Sequence, residues 1–298
     1  MRFLLPIAAA GLVIAPQPAA AAEPLHLKPS SKWVLDYAED SCRLARQFGE
    51  GDRRVTLRLD QLEPGDAFRV NLIGKPARTR RGDLRVTGRL RFGPAEPESE
   101  FSAMSGKAEA LAVLVVEGNQ RLAPLTEAEK AADYHETGAN PRPIGTAREA
   151  AATWLEIRQA LVTDLVLETG PMDEPLAALR QCSWDTVKDW GFDVEQQKAL
   201  SRRPVPRPKS VTWLQPEDYP VAMLSGGYQG FVHYRLMVDA AGKPISCHVQ
   251  LSTRPKEFDK AVCSAVMKRA GFEPALDAAG NPVPSYWTQS VQFRLEEL

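Results

Sequence analysis

From residue 219 onward, the apolar positions follow one simple period after another. Pro220 to Leu224 is a short apolar turn of helix, stopped by Ser225-Gly226-Gly227. Phe231 to Val238 alternates, with Val232, Tyr234, Leu236 and Val238 on one face, which is the period of a strand. Asp239 to Pro244 is a reverse-turn sequence. A second alternating run puts Ile245, Cys247, Val249 and Leu251 on one face and Ser246, His248 and Gln250 on the other, completing a β-hairpin. Phe258, Val262 and Val266 recur at helical spacing, with Cys263 and Ala265 beside them, and Gly271 ends that helix. After a turn over 277–284, a last strand has a core face of Trp287, Val291, Phe293 and Leu295. Its polar face is Tyr286, Thr288, Ser290, Gln292 and Arg294. The expectation is a three-stranded antiparallel sheet with two helices.

The first two thirds of the chain read less evenly. Asp36 to Phe48 has Ala38, Cys42 and Ala45 at helical spacing, an N-cap-like Asp36/Glu39 pair and a closing Gly49, and is expected to be a helix. Three alternating strands follow: Val55, Leu57 and Leu59; Phe68, Val70 and Leu72; Leu84, Val86, Leu90 and Phe92. Leu111 to Val116 is a continuous apolar run, a buried strand. Thr126 with Glu129 caps a short helix, 133–147 is loop, and 148–168 reads as a strand pair. Pro175 opens a clearer helix with Leu176, Leu179, Ser183, Val187 and Trp190 on one stripe. Residues 23–200 are thus expected to form an α+β domain, an antiparallel sheet with two helices. Residues 201–210, with Pro at alternate positions, form an extended Pro/Arg-rich linker reaching roughly 30 Å. Residues 211–298 make the second domain.

The first 22 residues change the picture. Arg2, the apolar stretch Phe3 to Ala15 and the Ala20-Ala21-Ala22 site form a secretory signal peptide cleaved before Glu23. The alternative is an inner-membrane anchor. The apolar run is shorter than the roughly 20 residues that span a bilayer, and it is broken by proline. Export suits four cysteines as disulfides. Cys247 on an inward strand face and Cys263 on the covering helix form one pair, which leaves Cys42 with Cys182; four buried thiols are the alternative.

At this point the C-terminal region resembles a known family. Tyr219-Pro220, Gly230-Phe231-Val232, Val238-Asp239 with Gly242, Phe258-Asp259 with Ala261, Phe272-Glu273-Pro274-Ala275, Gly280-Asn281-Pro282-Val283 and Val291-Gln292-Phe293 look like the C-terminal domain of TonB. The resemblance covers about a quarter of the chain. It implies a protein-binding module in the periplasm. Its partner would be the TonB box of an outer-membrane TonB-dependent receptor, added as a strand along the edge at 286–294. That edge offers Tyr286, Thr288, Ser290, Gln292 and Arg294. Energy-coupled transport is the process the resemblance implies. The alternative is a soluble envelope scaffold or adaptor whose C-terminal domain binds other proteins or self-associates.

Composition and motifs bound the rest. The net charge of −1 makes no electrostatic case for nucleic acid. No nucleophile elbow or phosphate loop is present, His135-Glu136 lacks the second histidine of a zinc helix, and Glu168-Thr169-Gly170 fits a strand-to-turn junction. No enzymatic role, cofactor, metal or small-molecule substrate is expected. His233 and His248 are expected as polar positions on an open sheet face. Lys75, Arg78, Arg80, Arg81, Arg85, Arg89 and Arg91 make a basic run opposed locally by Asp83. It reads as a solvated strand face neutralised by Glu96, Glu98 and Glu100, or as a contact for lipid phosphates.

Overall fold

The structure, a computed structural model, describes residues 23–295 apart from 81, 83, 133, 140, 141 and 254. The proposed signal peptide lies outside the described residues. The chain is a mixed α+β structure, with a large sheet in its N-terminal part and small antiparallel sheets in its C-terminal part.

The large sheet contains β1 (Leu25–Leu27), β2 (Val34–Ala38), β3 (Ser41–Phe48), β4 (Val55–Gln61), β5 (Ala67–Gly74), β6 (Arg85–Phe92), β7 (Ser99–Ala108), β8 (Leu111–Val116), β9 (Gln120–Arg121), β10 (Leu155–Arg158) and β11 (Leu165–Leu167). Their order is β1-β11-β10-β6-β7-β8-β5-β4-β3-β2, with β9 beside β5. The sheet curls until its two ends meet. Just after β1, Ser30 N donates to Gln47 O at 2.8 Å, and Gly49 N donates to Lys28 O at 2.9 Å. The alternating residues Val55, Leu57 and Leu59 of β4 and Phe68, Val70 and Leu72 of β5 fill the interior of this barrel-like sheet.

Among the described residues four α-helices accompany it: α1 (Glu127–Ala131), α2 (Tyr134–Thr137), α3 (Thr146–Ala151) and α4 (Asp173–Asp189). Thr126 and Glu129 form the capping box of α1. The long α4 lays Leu176, Leu179 and Cys182 into the same core.

The helix expected over Asp36–Phe48 is instead the hairpin β2–β3. Cys42, Leu44 and Phe48 alternate into the core, and β3 pairs with β4 from Cys42 to Phe48. Ladder pairing and period-two burial outweigh the helical spacing of Ala38, Cys42 and Ala45. The Cys42–Cys182 disulfide therefore ties a strand to a helix rather than two helices.

Helix α5 (Val194–Lys198) leads into the stretch 201–210, which is extended and packed. Its β12 (Val205–Pro206) pairs with β15 (Phe272–Glu273), and Pro204, Val205 and Pro206 are buried. After α6 (Val221–Ser225) come β13 (Gly230–Val238) and β14 (Pro244–Ser252), then α7 (Glu257–Arg269), the short pair β16 (Ala275–Leu276) and β17 (Pro282–Val283), and β18 (Ser285–Phe293). The sheet order is β14-β13-β18, antiparallel throughout. Helix α7 covers one face, where Phe258, Val262 and Val266 pack with Val232, Tyr234, Leu236, Trp287 and Phe293. Gly242 has φ +81° and lies so close to the Phe272 carbonyl that a side chain there would collide with it. Cys247 and Cys263 bond β14 to α7.

Each disulfide closes a loop inside one part of the chain, of 140 residues for Cys42–Cys182 and 16 for Cys247–Cys263. In the chain-entropy account these contribute about 5 and about 3 kcal/mol. Urea unfolding of the Cys42→Ala/Cys182→Ala and Cys247→Ala/Cys263→Ala variants should show losses in that order.

Candidate functional site

The candidate site is the outer edge of β18. Directions along this edge follow from the hairpin. Phe231 N donates to Thr253 Oγ1 at 2.8 Å, and Phe231 O accepts from Thr253 N at 2.9 Å, so the backbone groups of Phe231 face the β14 side. Backbone direction alternates along a strand, so Val232 faces β18, where its partner is Val291. Gln289, Val291 and Phe293 are therefore turned inward. The N–H and C=O groups of Tyr286, Thr288, Ser290 and Gln292 point to the outer edge, where β18 has no strand partner among the described residues.

That edge is not uniform. Tyr286 is 4% exposed and Thr288 1%, counted over the whole residue. Ser290, Gln292 and Arg294 are exposed. The cover over the first half comes from the N-terminal part. Tyr286 packs edge-on to Trp190, ring centroids 5.0 Å apart, and lies 5.8 Å from Phe192. Ser285 Oγ donates to Gln197 Oε1 at 2.7 Å, and Thr288 Oγ1 donates to Glu63 Oε2 at 2.8 Å. Over the second half, Ser290 Oγ lies 2.9 Å from His233 Nδ1, Arg294 bonds Gln292, and Glu117 stands 3.7 Å from Arg294. Gln289 accepts from the Tyr234 hydroxyl at 2.9 Å within the module, and its Nε2 donates to Ser210 Oγ of the 201–210 stretch at 3.0 Å.

The polar sheet face opposite α7 is buried in its centre, which corrects the expectation of an open face for His233, while His248 is exposed as expected. His233 is 4% and Arg235 7% exposed. The Arg235 guanidinium lies 3.9 Å from the centroid of the Trp190 ring, with Asp40 at 3.9 Å. Burial lowers its pKa to about 10, against the pull of Asp40 and Tyr286. His248 Nε2 reaches Asp40 at 2.8 Å, Gln250 Nε2 donates to the carbonyls of Asp40 and Leu62, and Arg69 lies over the Phe231 ring at 4.5 Å. The sequence reading missed Asp40, Glu63, Arg69 and Trp190 as partners of this sheet. The available signal was an arginine in mid-strand, too polar for a core face and in need of a partner.

The basic run touches the end of this edge, where Arg85 shares Glu117 with Arg294, and its other pairs involve residues of the N-terminal part. Arg85 pairs with Glu117, Arg89 with Glu98 and Glu100, Arg91 with Glu156, Arg80 with Asp164 and Lys75 with Asp52. The neutralising carboxylates thus come mostly from neighbouring strands and loops; Glu96 pairs with Arg148 instead. Arg81 and Asp83 lie outside the described residues. Among the described residues there is no cluster of three or more His, Cys, Asp or Glu fit to hold a metal, and no helix is long and apolar enough to cross a membrane.

A short antiparallel sheet with a helix on one face and an unpaired edge strand defines a module suited to accept an extended chain segment. Residues 215–295 match the family model described as Gram-negative bacterial TonB protein C-terminal. The match confirms the resemblance read from the sequence for that part of the chain. No curated protein and no solved structure matches.

Burial raises the Tyr286 phenol to about 12, with Arg203 lowering it and Glu63 raising it. The folded-state value lies above the ordinary 10.0, so this stabilisation is complete below pH 10 and is lost as pH climbs toward 12. Two units correspond to about 3 kcal/mol at most. Tyr286→Phe should flatten the fall of the urea midpoint across that window. An unchanged pH profile would show that Tyr286 ionises as freely folded as unfolded.

Proposed function

We propose that this is an envelope protein whose C-terminal module captures an extended segment of an outer-membrane TonB-dependent receptor by β-strand addition, in the setting of energy-coupled transport. The observation that carries the reading is the edge of β18, where Ser290 and Gln292 hold their backbone groups outward and exposed within the stretch that matches the TonB family. Main-chain hydrogen bonds then supply affinity, and the polar side chains contribute little. In this reading residues 1–22 direct export to the periplasm and are removed, and the chain has no catalytic role. An adaptor or scaffold that uses the same edge for another protein is the competing outcome.

The direction of the backbone makes the test clean. Proline at 290 or 292 removes an outward N–H and leaves the ladder to β13, made by 289, 291 and 293, in place. Calorimetric titration of the full chain with a synthetic TonB-box peptide should give Ser290→Ala an affinity within about twofold of wild type. Ser290→Pro and Gln292→Pro should each lose about tenfold or more. Circular dichroism must show both proline variants folded. Full-affinity binding by folded proline variants would move the site elsewhere, and no binding by wild type would favour the adaptor or scaffold.

A further inference from the structure

Four residues of β18 direct backbone groups to the outer edge, and only two of them are reachable. Tyr286 and Thr288 are buried as whole residues, backbone included, while Ser290 and Gln292 are exposed. The boundary between 288 and 290 is sharp, and N-terminal side chains draw it: Trp190 and Phe192 against Tyr286, Gln197 on Ser285, and Glu63 on Thr288. A strand laid along β18 from the Arg294 end would pair at Gln292 and Ser290 and then meet this wall.

We propose that the N-terminal domain caps the receiving edge, so that the partner is a short extended segment of about five residues, spanning roughly 17 Å, held by backbone pairing at Ser290 and Gln292 alone. The inference rests on the strand-addition reading above and adds a length limit to it. The cap is held by contacts that depend on one another. Trp190 and Asp40, both from the N-terminal part, face the buried Arg235 guanidinium of the sheet. Removing them leaves that cation without its ring and carboxylate in a poorly hydrated place, which drives the two parts to separate. The edge then lengthens from two outward residues to four.

Two measurements on the full chain decide this. Amide hydrogen exchange followed by NMR needs no ligand. In wild type, the outward amides of Tyr286 and Thr288 should exchange at least about 100-fold more slowly than those of Ser290 and Gln292, because the former open only when the cap does. In Asp40→Ala/Trp190→Ala the difference should fall below about tenfold. Comparable exchange at all four positions in wild type overturns the cap. The second measurement titrates a nine-residue TonB-box peptide and its five-residue core. Wild type should bind the two within about twofold, whereas the double variant should bind the longer one about tenfold or more tighter. An affinity that climbs with each added residue in wild type also overturns the cap. If neither peptide binds either protein, the receptor reading fails and the exchange data still judge the cap.

Discussion

A buried arginine on a sheet face sets the arrangement of this molecule. Arg235 projects from the middle of β13 away from the apolar core, and it is 7% exposed. A guanidinium removed from water without a partner costs several kcal/mol. Here the compensation comes from outside the module, as the Trp190 ring on one side and Asp40 on the other. A desolvated cation–π contact of this kind contributes about 2 kcal/mol. The same packing of the N-terminal part that meets this charge also buries His233 and closes the first half of the β18 edge.

The covalent framework works differently. Both disulfides stay within their own part of the chain, Cys42–Cys182 in the first and Cys247–Cys263 in the second. Between the parts run hydrogen bonds, ion pairs and ring contacts, together with the packed stretch 201–210. Arg202 and Arg207 of that stretch both pair with Glu273, and Ser210 Oγ donates to Glu136 Oε1 at 2.5 Å. An interface of this polar kind permits relative motion, unlike a fused apolar core. Each half has its own covalent brace, whereas the joint between them is held by noncovalent contacts.

How much could be read beforehand depended on how local the cause was. The C-terminal elements announce themselves because each buries one face against its neighbours in sequence: Val232, Tyr234 and Leu236 under Phe258 and Val262. Residues 36–48 misled because Ala38, Cys42 and Ala45 fall at helical spacing between an N-cap-like Asp36/Glu39 pair and Gly49. Their strand state is decided by β4, whose Leu57 and Leu59 pair with Arg46 and Leu44. Strand β7 left little trace, since Phe101 and Ala103 are its only buried side chains. The outward half of the β18 edge was legible from the alternation of Ser290 and Gln292. The hidden half was not, because Trp190 and Glu63 approach Tyr286 and Thr288 only after both parts have folded.

An unpaired edge is useful to a binding module and hazardous to any protein, since it invites pairing with other copies. A long open β18 would offer outward groups at four residues. Covering Tyr286 and Thr288 halves that template, and the exposed remainder ends at the charged Arg294 with Glu117 beside it. Charge at a strand end is a common guard against indiscriminate pairing. Two outward residues hold four backbone donors and acceptors. A net gain of about 1 kcal/mol for each bond would leave such a site weak in the proposed strand addition. If the edge takes a partner strand as proposed, the same wall that hides half of it from other copies also limits the grip on that partner.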